Sequence, residues 1–247
     1  GLTAEDKDER MPAEADPLLP EEIQIIRKWI EQGAPWHEHW GFSKPRIADA
    51  PKVDNAQWNR SPIDQFIYKQ LKDAGLKPNR KSDKRTLIRR ATYDLTGLPP
   101  TFQEVEAFLN DNSDDAWETL IDRLLDSPHY GERWGRHWLD LVRYAETNSY
   151  EVDGPKPFAW KYRDYVIQSL NDDKPYDQFV REQIAGDELK EVTVETMTAT
   201  GFYRLGIFDN APADRTLSRA DELDDIVTTI SQVFLGLTIN CARCHDH

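Results

Sequence analysis

Apolar residues recur at three- and four-residue spacing along most of the chain, which is the spacing of one face of an α-helix. Proline and capping residues stand before these series, and glycine often follows them. No stretch longer than five residues alternates cleanly at period two. The pattern predicts helices from Pro20 to Gly33, from Ser61 to Gly75, from Ser82 to Gly97, after a Thr101–Glu104 capping box, around 117–125, from Pro128 towards Thr147, and near 159–170, 176–186 and 219–236.

The fold class that follows from this series is all-α, a multi-helix domain with short connections. Residues 37–60 interrupt the helical spacing with prolines set among tryptophans, a composition typical of a linker. We therefore expect residues 1–36 to be the remnant of an upstream domain and residues 61–247 to form the main helical domain. We also expect the sequence to be a piece of a longer chain.

Composition narrows the choice of partners. The 247 residues include 8 Trp, 9 Tyr and 9 Phe, too many aromatic residues for a disordered acidic chain. The formal net charge of −14 disfavours nucleic acid and anionic membrane surfaces, which attract basic proteins. No apolar run approaches the roughly 18 residues that a membrane-spanning helix needs, so we expect no membrane insertion.

The only two cysteines carry the clearest chemical signal. Cys241, Cys244 and His245 match C-x-x-C-H, the attachment pattern of c-type haem. Two thiols a turn apart can each add to one vinyl group of a porphyrin, and the adjacent imidazole can ligate the iron as proximal ligand. The apolar run Val233–Leu237 before the motif would provide an apolar wall.

Two other chemistries fit the same residues less well. Cys241, Cys244, His245 and His247 offer four zinc donors, but they are more compact than the usual Cys₂His₂ arrangement. A thioredoxin-like redox pair would need a βαβ context, which the helical pattern does not supply. A module in which haem or metal only stabilises the fold also remains open.

His137 is the first choice for the second axial ligand of such a haem. It lies at the edge of the expected apolar face of its helix, and Asp140 and Tyr144 follow at helical spacing to orient its ring. The alternative is an ordinary histidine hydrogen-bonded at the edge of the core. The apolar face is expected to consist of Trp134, Trp138, Leu141 and Ala145.

Other residues could take the same position. His129, at a helix start where the dipole keeps the ring neutral, is the second choice. Met197 would make a His/Met pair, although a methionine that fills a gap in packing is the commoner case. The remaining candidates are His37, His39 and Met11.

Charged residues cluster in the middle of the chain. Asp140, Arg143 and Tyr144 are candidate catalytic residues, as proton donors and an electrostatic clamp for a substrate. The alternative is a network of partly buried ion pairs that links helices. The wider set includes Arg163, Asp164, Asp177, Arg181, Glu182 and Asp187.

Several long motifs resemble one known family, over roughly residues 40–247. They are similar to the domain of unknown function that follows the planctomycete-type cytochrome c domain. Residues 10–36 resemble the tail of that cytochrome c domain, in which an MP dipeptide provides the distal methionine, here Met11 for an upstream haem. The motifs are LIRRATYDLTGLPPT (87–101), SPHYGERWGRHWLDLVRYAETNSYEVDG (127–154), AWKYRDYVIQSLNDDKPYDQFVREQIAGD (159–187), ATGFYR (199–204) and LGLTINCARCHDH (235–247).

The motif and the resemblance together imply a function. The resemblance implies haem and export to the periplasm or the cell exterior. We expect an exported c-type haem protein that passes electrons to a redox partner protein or to a second haem domain on the same chain, with no nucleic-acid partner. The alternatives are a haem-dependent oxidoreductase acting on a carbohydrate or small organic substrate and a structural module stapled by haem or metal.

Overall fold

The described chain is helical. The computed structural model covers residues 16–36, 39, 41–149 and 153–244. In these residues it contains ten α-helices, no β-strand and one isolated bridge between Thr147 and Pro155. The all-α class predicted from the hydrophobic spacing is therefore confirmed. None of the helices in this part of the chain is both long and apolar enough to cross a bilayer.

The backbone divides into two compact units, Gly1–Asn79 and Arg80–His247. The first unit contains α1, Pro20–Glu31, and α2, Pro62–Asp73. Both begin with proline at the first helical position, where its missing N–H would be unpaired in any case. The predicted linker at residues 37–60, and the domain limits drawn from it, stay predictions.

The second unit carries the other described helices. A 3-10 turn, Thr200–Arg204, follows α9, a π-turn, Ser231–Leu235, continues α10, and a second 3-10 turn, Ile239–Arg243, comes next. The helices are α3 (Lys84–Thr96), α4 (Phe102–Asn110), α5 (Ala116–Leu125), α6 (Pro128–Leu141), α7 (Ala159–Asn171), α8 (Tyr176–Ala185), α9 (Val194–Ala199) and α10 (Arg215–Ile230).

Capping side chains fix where these helices begin. Thr101 Oγ1 accepts the N–H of Glu104 at 3.3 Å, and a Glu104 carboxylate oxygen accepts the N–H of Thr101 at 2.7 Å. The predicted capping box is therefore confirmed. The N-cap of helix α3 lies one residue later than predicted: Asp83 rather than Ser82 caps it, with Oδ1 accepting the N–H of Thr86 at 2.9 Å.

Helices α3, α4 and α5 enclose a hydrophobic cluster, called here the α3–α5 cluster. The lysine at the start of α3, Lys84, lies over the Phe108 ring at 5.6 Å and closes its edge. Full burial of one large apolar side chain of this cluster contributes about 1.5–3 kcal/mol to the free energy of unfolding. The members of the cluster are Ile88, Ala91, Phe108, Ala116, Leu120 and Leu124.

Helix α6 buries only part of the predicted apolar face: Trp138 packs against buried residues of other helices, but Trp134 and Leu141 do not. Trp134 and Leu141 are 41% and 60% exposed, whereas Gly131 and Gly135 are buried. A Cβ on Gly131 would lie 2.4 Å from the carbonyl oxygen of Ile167 in α7. The expected apolar face is therefore wrong at these two residues, because two glycines let the helix backbones approach more closely than tryptophan or leucine would allow.

Helices α6 to α9 and the turn after α9 enclose a second cluster, called here the aromatic cluster. At its centre Gln183 is completely buried, and its Oε1 accepts hydrogen bonds from the indole N–H of Trp138 at 3.0 Å and from the hydroxyl of Tyr162. The cluster thus combines aromatic packing with a satisfied polar network. Its buried members are Val142, Tyr162, Tyr165, Val166, Phe179, Ala199, Phe202 and Leu205.

Candidate functional site

The two cysteines lie on one tight turn, Ile239–Arg243 with Cys244 directly after it. The N–H of Cys244 donates to the carbonyl of Cys241 at 3.3 Å, so the two residues are one turn apart. Both side chains are exposed and neither thiol forms a disulfide. The segment, called here the thiol turn, presents two accessible nucleophiles at the spacing that C-x-x-C dictates.

Arg243, between the cysteines, ties the thiol turn to α10. Its guanidinium lies 3.4 Å from a carboxylate oxygen of Asp221 and 3.1 Å from one of Asp224. Asp221 and Asp224 share one face of α10 at i, i+3 spacing. His245 and His247 lie outside the described residues. In the part of the chain that is described, no three His, Cys, Asp or Glu side chains gather as metal donors.

The apolar run before the thiol turn divides between core and surface. Phe234 packs on Trp138 and Phe202, with ring centroids 5.7 and 5.6 Å away. Leu235, and Ile239 in the thiol turn itself, are instead exposed. Leu235 ends the π-turn, whose wider repeat departs from the side-chain spacing of an α-helix.

The proposed axial ligands are dispersed over the second unit. The exposed His137 ring lies against Trp134, with centroids 5.4 Å apart, and the exposed His129 Nδ1 is 2.7 Å from a Glu132 oxygen. Met197 is half exposed on α9. Their roles as iron ligands stay predictions. Of the other candidates, His39 is described, whereas Met11 and His37 lie outside the described residues.

Among the three candidate catalytic residues, Arg143 has the most unusual placement. It follows α6 with φ of 54°, a left-handed conformation that usually selects glycine. The N–H of Tyr144 donates to the carbonyl of Leu139 at 2.9 Å and that of Arg143 to Asp140 at 3.3 Å, which is a Schellman motif. The helix therefore ends at Leu141, short of the predicted extension towards Thr147.

The Arg143 side chain makes a two-pronged ion pair with Asp225 of α10. Nη2 lies 2.6 Å from Oδ2, and Nε lies 3.0 and 2.9 Å from the two carboxylate oxygens. Gly206 fits against this pair, since a Cβ there would lie 2.3 Å from Asp225 Oδ2. An arginine occupies this glycine-favouring position because its guanidinium joins the end of α6 to α10. Its partner Asp225 is 82 residues away in sequence.

Lys156 lies beside that ion pair. Its ammonium donates to the carbonyl oxygens of Leu205 at 2.8 Å and Gly206 at 2.7 Å. Burial, together with the nearby guanidinium groups of Arg143 and Arg204, lowers the pKa of Lys156 below its ordinary value. Two prolines flank it in sequence and restrict its backbone to extended conformations.

A cavity of about 530 Å³ opens next to these groups. The start of α7, helix α9, the segment 203–208 and helix α10 line it, and we call it the α7–α10 pocket. Lys156 and Asp225 both reach its wall. Arg143 stands behind the wall, where it pairs with Asp225.

Tyr144 and Asp140 take no part in this arrangement. The Tyr144 hydroxyl donates to Glu146 at 3.0 Å, and burial with this hydrogen bond raises the pKa of Tyr144 to about 12. It is thereby a poor proton donor at neutral pH. Asp140 is exposed on α6.

Part of the wider charged set forms an ion-pair network between helices. The ammonium of Lys174 lies 2.6 Å from the carboxylates of both Glu182 and Glu195, and the Lys174 and Glu182 side chains are almost fully buried. Glu182 also accepts from Tyr165 at 2.8 Å and Gln178 at 2.7 Å. Burial opposes charge here, but these hydrogen bonds outweigh it, so the pKa of Glu182 is lowered.

The sequence reasoning did not select Lys156, Gly206 or Asp225. The Pro155–Lys156–Pro157 run could have indicated Lys156, because two flanking prolines restrict the backbone and so fix the position of the lysine between them. Asp225 lies in the acidic run DELDD, which has the composition of a solvated helix face. Nothing local distinguishes it from its neighbours.

Comparison with known proteins yields one result. A family model described as PSCyt2, protein of unknown function (DUF1549), matches residues 62–247. This is a planctomycete cytochrome c-associated domain. No curated protein and no solved structure matches the chain.

Proposed function

The chain belongs to the PSCyt2 family of proteins of unknown function, and from its thiol turn we propose that it is a c-type haem protein that transfers electrons. The observation that carries the proposal is the pair of exposed, unpaired thiols of Cys241 and Cys244 on a single turn. Their sequence spacing and the following His245 complete the C-x-x-C-H pattern.

The donor set fits covalent haem. Addition to two vinyl groups requires two reduced and accessible thiols on the same side of a short segment, and both cysteines are exposed. Arg243 directs its guanidinium to α10, which holds the backbone of the turn without using either sulfur. Cys241 and Cys244 would hold the porphyrin, and His245 would be the proximal ligand.

Residues near the cysteines would tune the reduction potential of the haem. Haem c supplies one-electron chemistry when bound. Exposed Leu235 and Ile239, close to the cysteines in sequence, offer apolar surface that lowers the local dielectric. Arg243 offsets the negative charge of Asp221 and Asp224, which would otherwise favour the ferric state.

The first test is attachment. The chain should be exported from cells that carry cytochrome c maturation machinery, and a pyridine haemochrome assay should show a c-type band. Cys241→Ser with Cys244→Ser should abolish the band while the far-ultraviolet circular dichroism stays unchanged, because both thiols lie outside the hydrophobic clusters. Bound zinc without the band would contradict haem and favour a metal site.

His137 would be the second ligand of the haem iron. His137→Ala should convert a six-coordinate low-spin spectrum to a five-coordinate or water-bound one, because it removes a strong-field imidazole. His129→Ala is the matched control, since it removes another exposed α6 histidine. The reverse result would assign the iron to His129, and no change in either variant would point to Met197 or water.

Partner and compartment follow from the same proposal. An exported protein, periplasmic or extracellular, would pass electrons to a redox partner protein or to a second haem domain on the same chain. Residues 1–36 would be the tail of that upstream domain, with Met11 as distal ligand of its haem. Detection of the native protein in periplasmic or medium fractions, and of two haems per polypeptide in it, would test these points.

A haem-dependent oxidoreductase is the second candidate, and helix α10 supports it. Asp221 and Asp224 hold the thiol turn, while Glu222 and Asp225, one position further along, line the α7–α10 pocket. A small organic or carbohydrate substrate in that pocket would therefore lie across one helix from the cofactor segment. A high-spin spectrum that shifts with cyanide or carbon monoxide would favour this enzyme over simple electron transfer.

A further inference from the structure

The α7–α10 pocket has the dimensions of a small-molecule site. Its volume of about 530 Å³ lies within the range of roughly 300–1,000 Å³ typical of ligand pockets. Most of its wall is apolar, including Phe158, Ile207, Phe208 and Ile226. Such walls accommodate the hydrocarbon or ring body of a ligand better than a fully hydrated ion.

The charges around the pocket favour an anion. Lys156, Lys161 and Arg204 line it against two carboxylates, Glu222 and Asp225. Asp225 is already matched by Arg143 from behind the wall at 2.6 Å, and Glu222 by Arg219 at 2.6 Å and more loosely by Arg204 itself at 3.4 Å. The site is therefore locally positive, although the chain as a whole carries −14. A positive pocket in an acidic protein concentrates anionic ligands.

Lys156 is held ready for such a ligand. Its two hydrogen bonds to the carbonyls of Leu205 and Gly206 fix the ammonium, and an ammonium has three donors. One N–H is therefore left to donate. The pocket also borders the first turn of α7, whose residue before the helix, Phe158, provides no side-chain cap. The helix dipole there adds to the attraction for negative charge.

We propose that the α7–α10 pocket binds a small organic monocarboxylate, with the carboxylate at Lys156 and Arg204 and the apolar or ring-shaped body against Phe158 and Ile226. A carboxylate fits better than a phosphate, because the remaining N–H of Lys156 and the guanidinium of Arg204 match the two oxygens of a carboxylate, whereas a phosphate brings a third oxygen. The proposal concerns this pocket alone and does not depend on haem at the thiol turn.

The test compares three probes of one shape on the full chain, by isothermal titration calorimetry with backbone amide NMR. Benzoate should bind saturably, with shifts at residues 201–208. Benzamide, which is neutral, should bind about tenfold more weakly, and so should phenyl phosphate. Equal affinity for benzamide would overturn the role of charge, and tighter binding of phenyl phosphate would overturn the preference for a carboxylate. Absence of saturable benzoate binding at millimolar concentration would overturn the site.

Two variants locate the contact. Arg204→Gln removes a largely exposed cation and should weaken benzoate about tenfold without changing the melting temperature. Arg181→Gln, an exposed arginine on α8 outside the pocket, is the matched control and should bind like wild type. Lys156→Met should also bind weakly, and if it fails to fold, Arg204→Gln alone decides. Unchanged affinity in Arg204→Gln would overturn the proposed carboxylate position.

Discussion

The α3–α5 cluster and the aromatic cluster stabilise the same unit by different means. The first is almost entirely aliphatic, and its apolar members recur at helical spacing. The second buries two polar side chains beside its tyrosines and phenylalanines. Gln183 is satisfied by Trp138 and Tyr162 of other helices, and Glu182 by Tyr165 of α7 and by Lys174 and Gln178 nearby in sequence. The difference indicates which substitutions destabilise each cluster most. In an apolar core the loss of stability grows with the size of the cavity, whereas a buried charge becomes strongly destabilising once its partner is removed.

The largest effect expected from this comparison is at the ion pair beside the aromatic cluster. Lys174→Met leaves Glu182 buried without its cation, and we expect a loss of about 3–5 kcal/mol in the free energy of unfolding. Chemical denaturation followed by circular dichroism measures it. Lys174→Met with Glu182→Gln should recover much of the loss, because no buried charge is left without a partner and Glu195, the other partner of Lys174, is half exposed.

A surface ion pair on α8, the helix that carries Glu182, is the control for that variant. Arg181→Ala breaks the exposed pair with Asp177 and should cost less than about 0.5 kcal/mol. Equal losses from Lys174→Met and Arg181→Ala would contradict the special sensitivity of the buried pair.

In the α3–α5 cluster the corresponding variant creates a cavity instead of an unpaired buried charge. Leu120, 4% exposed, contributes only packing, so Leu120→Ala should cost about 3 kcal/mol. Transitions followed at near- and far-ultraviolet wavelengths should still coincide if the two clusters unfold as one cooperative unit. An aromatic signal that persists beyond the helical one would show that the clusters unfold separately.

Part of the pH dependence of stability should come from Glu182, beside the aromatic cluster. The pKa of Glu182 is lowered in the folded protein, so its stabilising effect is complete well above its unfolded pKa of about 4.3 and is lost as pH falls through the folded value. Wild type should therefore lose more stability in acid than Glu182→Gln. Parallel curves of unfolding free energy against pH for the two proteins would rule out this source.

The smallest effect is expected at the edge of the aromatic cluster, where Arg143 lies over Phe202 at 5.8 Å. Arg143→Ala and Arg143→Gly both remove the ion pair with Asp225, but only glycine relieves the left-handed backbone. The glycine variant should be more stable than the alanine variant by about 1 kcal/mol in denaturant titrations. A more stable alanine variant would mean that the backbone is not strained there.

The two clusters also differ in how far the sequence predicts them. Spacing of Ile88, Leu120 and Leu124 predicts the α3–α5 cluster because each helix there has one apolar stripe. In α6 the buried face carries Gly131 and Gly135 with Trp138, while Trp134 is exposed, so hydrophobicity predicts only part of that face. Glycine packing depends on the partner helix, which a local pattern does not contain.

The candidate sites divide in the same manner. The C-x-x-C spacing is local, and it predicts two thiols on one turn, as Cys241 and Cys244 are found. The α7–α10 pocket depends on Arg143 meeting Asp225, and no local pattern links two residues 82 positions apart. Whether either site holds its proposed ligand stays a prediction.

The attachment of the thiol turn to α10 has a consequence for the order of assembly. The ion pairs that Arg243 makes with Asp221 and Asp224 involve largely exposed side chains, and pairs of this kind contribute about 0–1 kcal/mol each. Neither cysteine belongs to a hydrophobic cluster. The turn can therefore detach and return while both clusters stay intact, and a modifying enzyme could reach the two sulfurs on a chain that has already folded. Modification after folding is a route that this arrangement leaves open.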